Sequence, residues 1–397
     1  MAIKRKSFAQ RKKEFEEITT GFNKKAGKTL IDTVSNPEIQ ERLRIEYIPT
    51  ASMNLNAAIG GWPRGKFSLI SGKPDSGKTY RLLEDIGFNM KNDPEFVAVW
   101  CESESSIDPD AFEMFGIDID RFYYFEVGTY GGENALDIVI RYAQSGVDMI
   151  VINSLKCLTP NVECVKNMGE DTIAVQARMN AKFMRIIIPT IAESGTALCA
   201  VQHMSTSIGG YGGGNQIIVG GQAIKYNNVL TAEFSKGFID QKHNLYAVRD
   251  KYMPVKVKIT KNHCKTLANP YVSIDYIVKL GTGTDITGEV IDAAIEQHIV
   301  EKAGAWIKEY KDGIIEKGNE RILENGVKCS WNGIAKFNDF VNNNPDYFNY
   351  LKDKVEGNIT TTSLSEDEIA EIKEQEEMEE EALDKFKEEL NEVLETE

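Results

Sequence analysis

Long apolar runs are missing from this 397-residue chain: none reaches the about 18 residues that cross a bilayer, so no membrane span is expected. The amino terminus, Met1-Ala2-Ile3-Lys4-Arg5-Lys6, lacks the apolar stretch of a secretory leader, and a cytoplasmic setting is expected. No C-x-x-C pair occurs among Cys101, Cys157, Cys164, Cys199, Cys264 and Cys329, and His203, His243, His263 and His298 fall at no metal-ligand spacing with them. Buried or idle thiols in a reducing compartment are therefore expected. Internal repeats are absent as well. Basic residues are outnumbered, 46 against 61 acidic ones, for a net charge of −15. That imbalance is local. Residues 365–397 carry a net −13, residues 1–28 a net +6, and the 336 residues between them −8. An acidic total of this kind does not exclude a nucleic-acid partner when basic groups are focused on one surface.

What is present is sharper. Residues 72–79, Gly72-Lys73-Pro74-Asp75-Ser76-Gly77-Lys78-Thr79, fill the pattern G-x-x-x-x-G-K-[ST] without a mismatch. The apolar run Phe67–Ile70 before it predicts a strand, and Tyr80–Met90 after it predicts a helix. Gly72 and Gly77 let the backbone curl so that successive N–H groups face a polyphosphate, and the helix start adds partial positive charge. Lys78 can reach the β and γ phosphates, and Thr79 can ligand Mg²⁺. A bound nucleoside triphosphate is expected.

The rest of the chain falls into segments. Residues 1–35 predict a basic helix and a linker, with Phe8, Phe15, Ile18 and Phe22 close to one face, suited to docking on a neighbouring subunit. From Ile48 to Leu280, short apolar runs at 96–100, 149–152 and 197–201 alternate with helical stretches at 134–145 and 174–194, the pattern of a parallel α/β sheet covered on both faces. Pro189 is expected to kink or interrupt the second of these helices. Segments 228–234, 245–248, 255–261 and 272–278 predict an antiparallel extension. Residues 286–357 turn mostly helical, with Trp306, Trp331, Phe337, Phe340, Tyr347 and Phe348 anchoring a small core, and 358–397 predict a disordered acidic tail.

ATP hydrolysis needs Mg²⁺ and a group that positions the attacking water. Glu102 or Glu104, at the end of the strand beside the P-loop strand, can supply that group. The strand 149–152 ends in Asn153, a neutral and weaker metal ligand, held through water, where a carboxylate is usual, so slow but real turnover is expected. Between Gln202 and Lys225 lie 22 residues, seven of them Gly, beginning where a core strand ends. So long a loop in a compact domain is usually functional, and Ile208, Tyr211 and Ile217 can wedge against or stack on bases. Gln202 at the strand tip can sense the γ phosphate. Arg178 and Arg185, seven apart, share a helix face behind a second candidate loop at 161–171.

Taken together, residues ~45–355 resemble the RecA recombinase family, in particular its phage-encoded, UvsX-like branch. The resemblance rests on Glu104-Ser105-Ser106-Ile107-Asp108-Pro109, Phe115-Gly116-Ile117-Asp118, Leu158-Thr159-Pro160, Ala177-Arg178-Met179, Gly220-Gly221-Gln222-Ala223-Ile224-Lys225-Tyr226, Val257–His263 and the run Glu301-Lys302-Ala303-Gly304-Ala305-Trp306. It implies a RecA-type P-loop core at 50–281, a docking helix and linker at 1–49, a small α+β C-terminal domain at 282–357 and the acidic tail at 358–397. Glu104 becomes the catalytic base with Lys78. ATP contacts fall on residues 72–79, Tyr80, Asp108 and Asn153, while the family's adenine-stacking tyrosine falls at Ala111. Gln202 becomes the ATP sensor. Lys261 reaches the neighbouring subunit's ATP, with His263 where a second lysine belongs. Arg178, Arg185, Gly220 and Gly221 would touch DNA phosphates, Ile173 and Ile208 would be wedges, and Gly209 and Gln222 complete the DNA-binding set. The implied activity is ATP-dependent pairing and strand exchange between single-stranded DNA and a homologous duplex, in a helical filament of this chain, with a single-strand-binding protein or loading mediator as a further partner. Two other readings share these residues: a RecA-fold helicase or recombination mediator, and an ATP-gated single-strand coat that scarcely hydrolyses.

Overall fold

The computed structural model describes residues 7–165, 175–206, 216–218, 222–237, 251–264 and 272–357. The chain divides into two compact units, Met1–Glu46 and Tyr47–Glu397. The first holds α1 (Phe8–Ala26) and α2 (Pro37–Leu43). Ser7 and Gln10 close a reciprocal capping box at the start of α1, and Gly27 ends it in the left-handed region at φ 67°. No residue of α1 is buried, and Phe8, Phe15, Ile18 and Phe22 are all more than half exposed.

The second unit opens with β1 (Tyr47–Ile48), α3 (Met53–Ile59), β2 (Trp62–Pro63), β3 (Phe67–Gly72) and α4 (Lys78–Asn92). It continues through β4 (Ala98–Glu102), α5 (Asp110–Phe115), β5 (Phe122–Glu126), α6 (Gly132–Ser145), β6 (Met149–Asn153), α7 (Asn161–Val165) and α8 (Val175–Ser194). Then come β7 (Ala197–Thr206), β8 (Gln216–Ile218), α9 (Gln222–Asn227), β9 (Leu230–Lys236), β10 (Tyr252–Asn262), β11 (Val272–Lys279) and β12 (Gly283–Thr284). Last are α10 (Ile286–Glu296), β13 (Glu301–Ala303), β14 (Trp306–Lys308), β15 (Ser330–Asn332), α11 (Ile334–Asn343) and α12 (Pro345–Glu356).

One sheet runs β12-β11-β10-β9-β3-β7-β6-β4-β5, with β8 paired to β7. The six strands from β9 to β5 are mutually parallel, and β10, β11 and β12 extend it antiparallel. The antiparallel part therefore begins one strand later than the sequence pattern predicts, because β9 is itself parallel to β3. The segment 245–248 lies outside the described residues. Strand alternation sorts the core into two layers. Ile70, Trp100 and Val151 point to the layer of Leu82, Ile86 and Trp62, whereas Leu69, Cys101 and Ile152 point to that of Val139, Phe183 and Ile187. Both faces are covered, so each of these strands reads as a continuous apolar run.

Helix α8 runs unbroken through Pro189. The expected interruption does not occur, because Pro189 and Arg185 lie on the exposed side, where water can satisfy the freed Arg185 carbonyl. Met179, Phe183, Met184, Ile187 and Ile191 meanwhile hold the other side to the core. Residues 286–357 are less helical than their pattern predicts, since a three-stranded sheet β13-β14-β15 is part of them. Trp331, Phe337 and Tyr347 are buried as expected, but Trp306 is 44% exposed and stands outside their buried cluster. The same cluster includes Met53 of α3, so this region shares a core with the larger sheet.

Candidate nucleotide and nucleic-acid site

The loop 72–79 joins the carboxyl end of β3 to α4, the end at which open α/β sheets bind ligands. Gly72 at φ 144° presses against the Phe234 carbonyl, where a Cβ would collide. Asp75 at φ 57° and Gly77 at φ 90° complete the curl. Gly77 starts α4 without a side-chain cap, so the first N–H groups of the helix remain available to an anion. Lys78 is buried, and its ammonium donates to the carbonyls of Lys73 at 2.6 Å and Gly72 at 3.1 Å. Burial holds its pKa below the usual lysine range, while Glu104 and Asp75 oppose the shift. Ser76 is buried, Thr79 half-buried, and Lys73, Pro74, Asp75 and Tyr80 exposed.

Register brings the remaining groups to the same end. Glu102 ends β4 directly opposite Asn153 at the end of β6, and Ser71 and Gly72 pair with Gln202 and His203 of β7. The two glutamates part company here. Glu102 is fully buried and braced: it accepts from Trp100 Nε1 and Asn153 Nδ2, both at 2.9 Å, and from the Glu104 N–H at 2.7 Å. Glu104 lies at the surface of the crevice, near enough to Lys78 to oppose its pKa shift. Its carboxylate meets His203 Nε2 at 2.6 Å and accepts from the Cys157 thiol at 3.8 Å. Gln202, one residue earlier, is fully buried, and strand alternation sends its side chain to the opposite face. So the group that the fold brings to Glu104 is His203, which the sequence pattern did not single out. The two are neighbours at one strand tip, and which of them faces Glu104 follows from the pairing of β7 with β3 and β6, the latter lying between β7 and β4.

Asn153 Oδ1 is buried and has no hydrogen-bond partner among the described residues, an acceptor that suits a cation or its water. No cluster of three or more His, Cys, Asp or Glu among the described residues could hold a metal unaided. Thr79 and Asn153 therefore fit Mg²⁺ only in a site completed by phosphate oxygens and water, the usual habit of that ion.

Lys261 and His263 sit elsewhere. Through the register of β10 on β9 and β9 on β3, Lys261 lies level with Leu69 and Asn262 with Ser68, towards the opposite end of β3 from the loop. Lys261 Nζ donates to the Lys225 carbonyl at 3.0 Å, and His263 is exposed. Neither belongs to the P-loop end of its own sheet. Asp108 is exposed, and its carboxylate accepts from the Asp110 N–H at the start of α5; Ala111 is buried. Arg178 and Arg185 are both exposed on α8, and Gln222 opens α9, which packs on α8. Ile173, Ile208, Gly209, Gly220 and Gly221 lie outside the described residues. No helix among the described residues is long and apolar enough to cross a membrane.

Fold and site thus define a P-loop nucleotide-binding α/β protein. The model of the RecA N-terminal domain family matches residues 13–285. Protein RecA of Borrelia hermsii (strain HS1 / DAH) is 31% identical over 287 residues, covering 72% of this chain and 78% of that protein. Protein RecA of Francisella tularensis subsp. novicida (strain U112) is 30% identical over 322 residues, covering 79% and 84%. The chain belongs to the RecA family, and with it to the ATP-binding proteins of DNA recombination and repair.

Proposed function

We propose that this chain is an ATP-dependent recombinase that assembles as a helical filament on single-stranded DNA and pairs it with a homologous duplex. The observation that carries this reading is the course of β7. One strand sets His203 against Glu104 beside the P-loop and then leads into the glycine-rich segment at 207–221. A strand that meets the ATP site at one point and a DNA-binding loop at the next can couple the two.

In this mechanism the loop 72–77 and Lys78 hold the β and γ phosphates. Lys78 must leave the carbonyls of Gly72 and Lys73 to do so, and a phosphate oxygen replaces them. When bound, Mg²⁺ neutralises charge on the phosphates, with Thr79 and Asn153 on its protein side. Glu104 orients the water that attacks the γ phosphate and accepts its proton. Glu102 acts through Asn153 and the Glu104 backbone and positions both. His203, rather than Gln202, reports the state of Glu104 to the loop. Lys261 and His263, remote from their own P-loop end, serve the site of the next subunit, a head-to-tail contact that propagates as a helix. Arg178 and Arg185 hold DNA phosphates, so affinity falls steeply with salt.

The deciding experiment is ATP hydrolysis with and without single-stranded DNA, in low salt and Mg²⁺, followed by strand exchange. Stimulation by DNA together with exchange is the expected result. A second reading, an ATP-gated coat, is favoured by Asn153 and by the hold of His203 on Glu104. ATP binding without hydrolysis would select it, and unwinding without exchange would select a helicase or mediator.

A further inference from the structure

Directly after Lys78 and Thr79, in the first turn of α4, stands a large ring that the phosphate chemistry does not use. Tyr80 is 45% exposed, yet it is not loose. Its ring meets that of Phe115 at 5.8 Å between centroids and 80° between planes, an edge-to-face contact. Phe115 is fixed in turn. It ends α5, and Gly87 of α4 lies so close to its carbonyl that a Cβ there would collide. Its ring edge lies 3.4 Å from where a Cβ on Gly283 would stand. Tyr80 and Gly87 are seven apart and so share the face of α4 against which α5 packs. An exposed aromatic held in one orientation by a second aromatic, one residue beyond a phosphate site, is a ready stacking surface.

We infer that Tyr80 is the platform on which the base of the bound nucleoside triphosphate stacks, and that Phe115 is the positioning residue that holds the platform. The inference rests on the reading of 72–79 as a triphosphate site. Phosphates anchored at Lys78 and Thr79 leave the sugar and base to extend past the loop, where the next side chain is Tyr80. Stacking needs only a π face, so the platform adds affinity for a nucleoside triphosphate over bare phosphate without reading hydrogen bonds on the base.

The test uses the full chain with Mg²⁺ and calorimetric Kd values for two ligands, ATP and inorganic tripolyphosphate, the second lacking sugar and base. Tyr80→Ala is expected to weaken ATP by about ten-fold or more and to leave tripolyphosphate unchanged. Tyr80→Phe keeps ATP within about two-fold, and Phe115→Leu loses part of the ATP affinity alone. An ATP Kd for Tyr80→Ala equal to that of the unaltered chain overturns the inference. So does an equal loss of both ligands by a folded variant. Should Tyr80→Ala fail to fold, Tyr80→Leu, which keeps the apolar bulk but not the ring, decides by the same two-ligand comparison. An unaltered chain that binds neither ligand overturns the triphosphate reading itself and leaves Tyr80 without a role.

Discussion

Two glutamates two residues apart differ in what they can do because one is enclosed and the other is not. Glu102 has its oxygens taken by Trp100, Asn153 and the Glu104 N–H, whereas the Glu104 carboxylate meets the side chains of His203 and Cys157. Glu104→Gln should therefore lower the hydrolysis rate by about 10²–10⁴-fold while ATP still binds, measured by phosphate release and calorimetry. Retention of full activity would transfer the role of base elsewhere. Asn153 carries the opposite expectation. Asn153→Asp places a carboxylate where a neutral amide now donates to Glu102, so it offers Mg²⁺ a stronger ligand but sets two acids side by side. Hydrolysis should rise and half-saturation should come at lower Mg²⁺, and an unchanged rate and Mg²⁺ dependence would show that Asn153 is not limiting. The roles open to these residues were legible as alternatives in the sequence. The environments that set Glu102 apart from Glu104, and the contact of His203 with Glu104, were not, because they depend on which oxygens and faces are already occupied.

Helix α4 joins the loop to the interior. Arg81 is fully buried on it, with Glu84 and Asp85 each 2.8 Å away and Tyr276 stacked 5.6 Å from its guanidinium carbon. Arg81→Leu would leave those acids enclosed without their cation, and should destabilise the fold by about 3–5 kcal/mol. Denaturant unfolding measures it, and a variant within experimental error of the unaltered chain would refute it. Helix α8 makes a different case. Its buried side was legible from periodicity, and so was the pairing of Arg178 with Arg185. Its continuity through Pro189 was not, since that depends on the lost hydrogen bond falling on the wet side of the helix. Replacing Arg178 or Arg185 by Gln should weaken single-stranded DNA binding at every sequence and reduce the salt slope by about 1 each.

Across the whole molecule, burial creates a pH dependence. Asp85 is pushed up to about 6 and Glu289 to about 7, in both cases because desolvation outweighs the hydrogen bonds and the Arg81 charge that oppose it. Both carboxyls ionise at lower pH in the unfolded chain, so the folded state holds their protons more tightly. Stability from this source is fully present at pH below about 4 and is lost as pH rises through about 6 to 7. Asp85→Asn and Glu289→Gln should flatten that part of the pH profile of the unfolding midpoint. An unchanged slope in both would remove these groups as its cause. The acidic segment 365–397 is expected to act at the same scale, through like charge competing with phosphate. Its removal should strengthen DNA binding most at low salt, and binding that stays the same would exclude the effect.

The sequence by itself determined the P-loop, the alternation of buried strands with helices, the apolar edge of α1 and the concentration of acid at the carboxyl end. Each is a local pattern, fixed by spacing within a few residues. Tertiary structure decided what spacing cannot carry. Register set His203 beside Glu104 and placed Lys261 away from its own P-loop end, burial turned Glu102 into a brace, and packing joined residues 282–357 to Met53. All four depend on which segments become neighbours across the sheet, and hydrogen-bond register between strands far apart in the chain is written in no single stretch of it.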